Sequence, residues 1–139
     1  MTSNYWVDTV YAEPPLSGLT RTDMSAAFSW LELHFLLNGT KIDWQRARGK
    51  HAHWRVDDGV QLMAMAMSEV LRRISPGSEV EHIGDGLSPF GVSFTDNDSE
   101  SIVGALLEIP EHHYFVAGDR AWIVVVTTEG DLDVMDQLS

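Results

Sequence analysis

His112-His113-Tyr114-Phe115-Val116-Ala117-Gly118-Asp119-Arg120-Ala121-Trp122-Ile123-Val124-Val125-Val126-Thr127-Thr128 is the stretch on which the fold turns. Two runs rich in aromatic and β-branched residues flank Ala117-Gly118-Asp119-Arg120, the composition of two strands joined by a tight turn. The second run, Trp122 to Thr128, carries apolar side chains at both odd and even positions. A strand with one wet face alternates, so this one is expected to be covered on both faces.

The segments on either side read as mixed helix and strand. Asp57-Asp58-Gly59 opens a helix to about Ile74, with Val60, Met63, Met67, Val70, Leu71 and Ile74 at helical spacing. Its acids suit the positive end, Arg72 and Arg73 suit the negative end, and Ser75-Pro76-Gly77 stops it. A second helix is expected from Thr22 to Leu37, with Met24, Phe28, Leu31 and Phe35 on one face. The competing pattern there is a hairpin, because Leu37-Asn38-Gly39-Thr40 is also a type I′ turn signal. The lack of β-branched residues before the turn favours helix. A short third helix is expected from Glu100 to Glu108, ended by Pro110.

Strands are expected at Asn4–Tyr11, Lys41–Ala47, His51–Val56, Glu79–Ile83, Phe90–Thr95 and through the opening hairpin. The second and third of these would pair around Arg48-Gly49-Lys50. Leu132 and Val134 suggest a last edge strand. The expectation is therefore a single α+β domain over residues 1–139, with about six to eight short, mostly antiparallel strands against two longer helices and one short helix.

Charge is the unusual bulk property: the chain has 139 residues and a formal net charge of −12. Residues 1–74 hold eight acids and eight bases, whereas residues 75–139 hold thirteen acids and one base, Arg120. Such a field opposes nucleic acid and anionic membrane and speeds encounter with a basic partner. With no cysteine there is no disulfide, thiolate metal site or Cys nucleophile. No basic n-region precedes an apolar run at the N-terminus, and no transmembrane-length apolar segment occurs, so a cytoplasmic location is expected.

Catalytic motifs are missing. There is no G-x-S-x-G, G-x-G-x-x-G or P-loop, and the oxygens of Asp96, Asp98 and Glu100 lack the glycine and the distal Glu of an EF-hand. Of the six histidines, His51 and His53 share a strand face, and with Glu111, His112 and His113 they form the one metal-ligand set worth naming. No H-x-x-x-H spacing supports it, so neither metal nor cofactor is expected. Lys41 to Arg55 interleaves bases with Trp44 and Trp54, as a nucleic-acid platform does. Its few bases face a strongly acidic second half, so they are expected to neutralise acids within the fold.

These readings favour a small binding protein over an enzyme: one that masks a basic protein partner, as inhibitors, toxin-immunity proteins and secretion chaperones do. The expected contact acids are Asp96, Asp98, Glu100, Glu129, Asp131, Asp133 and Asp136. The alternatives are an enzyme or small-molecule binder with a His/Trp/carboxylate cleft, with or without a metal, and a homodimer pairing through its C-terminal strands.

Overall fold

In the computed structural model, residues 9–35, 37–38, 41–42, 44 and 49–137 are described. The elements run β1 (Thr20–Thr22), α1 (Met24–Phe35), β2 (Leu37–Asn38), β3 (Lys41–Ile42), β4 (Lys50–Arg55) and α2 (Gly59–Leu71), then β5 (Val80–Gly84), β6 (Gly91–Phe94), α3 (Ser99–Leu107), β7 (His113–Ala117), β8 (Ile123–Val126) and β9 (Asp131–Asp136). Seven strands form one antiparallel sheet in the order β1-β6-β5-β7-β8-β9-β4, and β2 pairs with β3 alone. The expected α+β architecture is the one observed.

The opening hairpin is the centre of that sheet. Every residue of β7 and β8 is buried, with Phe115 opposite Val124 and Val116 opposite Ile123. Because successive side chains on a strand point to opposite faces, burial at every position requires a cover on each side. On one face Tyr114, Val116, Ile123, Val125 and Met135 meet Ala27 and Leu31 of α1, and Phe28 sets its ring edge-on to Tyr114 at 5.6 Å. On the other face Phe115, Val124, Val126, Leu132 and Val134 meet Leu62, Ala66 and Val70 of α2 and Ile102, Val103 and Leu106 of α3. Asp58 caps α2 as expected, its Oδ1 accepting the Gln61 N–H at 3.0 Å.

Residues 22–37 combine the two competing patterns. Helix occupies Met24–Phe35, and the turn signal serves the separate β2–β3 pair immediately after it.

Three strand assignments are corrected. Of Asn4–Tyr11, residues 4–8 lie outside the described set and residues 9–11 are not strand. Tyr11 drops its ring into the core beside Phe90 and bonds its hydroxyl to Ser88 Oγ at 2.8 Å. Among the described residues, Lys41–Ala47 and His51–Val56 do not pair with each other. Within the described part of the first, β3 bonds to β2, while β4 bonds to β9 in the register His53 opposite Asp133 and Trp54 opposite Leu132. The bases of β4 thereby meet acids of β9, the neutralisation expected of this segment. Finally, β9 is interior: Leu132, Val134 and Met135 are buried between β8 and β4.

Covering the sheet on both faces makes a specific energetic claim. Leu31 and Leu106 are each 0% exposed, on opposite sides. Leu31→Ala and Leu106→Ala should each destabilise by about 2–5 kcal/mol. With the sheet between them, the double variant should sum the two losses to within about 0.5 kcal/mol. Urea unfolding of the three variants measures this, and a strongly non-additive double variant would contradict two separately packed faces.

Candidate functional site

The apolar stripe of α2 is wider than the core needs. Leu62, Ala66 and Val70 point into the sheet, while Val60, Met63, Ala64 and Met67 line an open groove of about 1060 Å³ shared with Gly104, Leu107 and Pro110 of the α3 segment. Val60 is 82% exposed, among the few large apolar side chains left in water. Gly104 brings the α3 backbone close to the wall, since a Cβ there would stand 3.2 Å from Met67 Cε. Asp58 and Glu108 sit on the lining. Glu100, exposed one turn before Gly104, continues that acidic edge along α3. Met63, Met65 and Met67 are all half-buried.

A second constellation is buried. Glu111 is 5% exposed, and its Oε1 accepts the backbone N–H groups of Gly86, Leu87 and Ser88 at 3.1, 2.7 and 2.9 Å. Ser88 Oγ donates to Oε2, making a chain from Tyr11 through Ser88 to Glu111. The three convergent N–H groups form a backbone nest around Oε1. Gly84 lies directly against Glu111, and a Cβ there would collide with the carboxylate. Beside it, His82 on β5 and His113 on β7 approach at 2.9 Å, His82 Nε2 to His113 Nδ1.

The tautomers follow from the partners. His113 Nε2 lies 2.8 Å from the Ile109 carbonyl, which only accepts, so that nitrogen carries the proton and Nδ1 presents a lone pair to His82. His82 then donates from Nε2 and leaves Nδ1 bare, buried and without a partner. Burial, and then mutual repulsion, hold His82 well below the usual imidazole range; burial also lowers His113, against the opposing pull of Glu111. Both rings are therefore neutral near pH 7. His82, Glu111 and His113 each offer a ligand atom, all within 4.8 Å of one another.

The expected metal set is only partly assembled. Glu111 and His113 come together, but His112 turns aside, its Nδ1 accepting the Thr128 N–H and its Nε2 standing 3.9 Å from Asp85. His51 and His53 lie on β4, three strand positions from β7. His51 stacks on Trp44 at 4.7 Å and bonds Asp133 at 2.8 Å, and His53 bonds Asp131 at 3.0 Å. His82 escaped notice in the sequence because its partner is 31 residues away. Its one signal is a lone imidazole beside Ile83 on a short strand.

The expected contact acids fall into two groups. Asp96, Asp98 and Glu100 are exposed around the start of α3, and Glu129 is exposed in the turn before β9. Asp131, Asp133 and Asp136 are engaged within the fold: Asp133 is 5% exposed against His51, and Asp136 receives two Arg73 N–H bonds at 2.7 Å each. Compared with known proteins, the chain matches no family model, no curated protein and no solved structure. No helix among the described residues is long and apolar enough to cross a membrane.

Arg73 joins the end of α2 to β9, gripping Asp136, the Glu69 carboxylate at 3.1 Å and the Glu69 carbonyl at 2.7 Å. Its hydrogen bonds pull Asp136 below the ordinary carboxylate range, and those of Arg72 and Arg73 outweigh burial to lower Glu69 as well. Lowered carboxylates stabilise the fold above their unfolded values, about 4, and lose that contribution as pH falls through the folded ones. Arg73→Ala should cost about 2 kcal/mol at pH 7. Urea midpoints should show the deficit shrinking as pH is lowered from about 5 to 3; a deficit independent of pH would mean that Arg73 acts by packing alone.

Proposed function

We propose that this protein masks a basic protein partner by seating an amphipathic, basic segment of that partner in the groove between α2 and α3. The observation that carries the reading is the groove itself: open, apolar on its floor, with Val60 in water and carboxylates along its edge. Apolar faces of helical segments dock into grooves of this kind through residues spaced by three and four. Methionine suits such a floor because its unbranched, polarisable side chain adapts to the partner's shape. Glu100 and Glu108 would meet Lys or Arg side chains flanking the apolar face, and the −12 net charge would speed the encounter.

Short Lys/Leu and Glu/Leu amphipathic peptides of equal length, labelled for fluorescence anisotropy, separate this reading from its rivals. The basic peptide should bind the whole protein and weaken as salt is raised, while the acidic one should not bind. Val60→Ser with Met63→Ser should weaken binding about tenfold; because Met63 also packs on the edge of the core, the unfolding midpoint of the variant is measured beside it to show that the fold persists. Glu100→Gln with Glu108→Gln should slow association more than it speeds dissociation. Equal binding of the two peptides, or no effect of the Val60 and Met63 changes, would remove the groove as the docking site.

A further inference from the structure

We infer that His82, His113 and Glu111 bind a divalent transition-metal ion of zinc's class, joining β5, β7 and the segment after α3 through a centre separate from the docking groove. The donor chemistry fits. Two imidazole nitrogens and one carboxylate oxygen are a recurrent zinc ligand set, and a thiolate-free set of this kind also accepts cobalt and nickel. The ligand atoms lie within 4.8 Å of one another. A tetrahedral ion with bonds near 2.1 Å spaces its ligands at about 3.4 Å, so small side-chain rotations close the set.

Each ligand is already prepared. The Ile109 carbonyl holds the proton of His113 on Nε2 and so turns the Nδ1 lone pair inward, the outer-shell device that orients metal-binding histidines. The nest of three N–H groups saturates Oε1 of Glu111 but leaves Oε2 with Ser88 Oγ as its hydrogen-bond partner, so Oε2 retains a lone pair to give. His82 needs the freedom to change tautomer, because Nε2 must surrender its proton to become a ligand. Its unpartnered Nδ1 supplies that freedom. A backbone N–H donating to Nδ1 would have locked Nε2 in its protonated form.

Charge balance points the same way. Glu111 is buried and Asp85 nearly so, both beside His113, and among the described residues neither forms an ion pair with Lys or Arg. A dication would give these carboxyl groups the countercharge that no described Lys or Arg supplies.

The whole protein, freed of metal by chelator and dialysed, should bind Co²⁺ at one equivalent per chain with a visible d–d spectrum free of thiolate charge transfer. Zn²⁺ should displace the cobalt and raise the unfolding midpoint. Glu111→Gln, which keeps the shape of the side chain, should weaken binding at least about tenfold, and His82→Gln should abolish the spectrum. The His51→Asn/His53→Asn variant should bind as the parent does. Failure of the unaltered protein to bind Co²⁺ at micromolar concentration would overturn the inference whether or not the buried variants fold. So would loss of binding in the His51/His53 variant, which would mean chelation at the β4–β9 surface. Peptide binding in the groove is a separate readout, so either proposal can fail alone.

Discussion

A hairpin with no wet side imposes the plan of this molecule. Hairpins commonly bury one face and leave the other to solvent, but β7 and β8 carry apolar side chains in both directions, so each face needs its own cover. Helix α1 supplies one layer, and α2 with α3 supplies the other. Once that pair is central, β5 and β9 must lie alongside it, and the strands with fewer apolar positions, β1 and β4, are displaced to the rims.

Much of this was readable from the chain because it depends on local pattern. Apolar residues of both parities in Ile123–Val126 implied two covers, and the stripe from Val60 to Leu71 with its Asp58 cap defined α2 closely. What escaped reading depends on pairing between distant residues. Nothing near Trp54 says that its ladder partner is Leu132. Likewise, a short run ending in Asp136 looks like an edge until β4 is known to lie beyond it. Tyr11 has strand-forming chemistry, yet nothing near it in the chain says that its ring is buried beside Phe90 with its hydroxyl on Ser88, 77 residues away.

The charged and buried polar side chains divide in the same way. An acidic second half was evident from composition, but not which acids the fold would use itself. Asp131, Asp133 and Asp136 sit opposite the bases of β4 and α2, whereas Glu100 and Glu108 lie along a helix whose neighbour leaves an apolar channel open. The His82–His113 contact was invisible for a related reason: two single histidines on different strands become a pair only through the β5–β7 register, in which His82 lies opposite Phe115 and Gly84 opposite His113.

The rim strand β4 has a further consequence. Its sequence, Lys-His-Ala-His-Trp-Arg, bears an ionisable side chain at four of six positions. A neighbouring chain that tried to extend the sheet there would have to bring its own side chains up against imidazoles and guanidinium and ammonium groups, a poor template for stacking. At the far rim β1 is only three residues long, with Arg21 at its middle. The seven-stranded sheet thus ends in two borders that discourage growth, and along one of them the carboxylates of Asp131 and Asp133 hold the imidazoles of β4 in place.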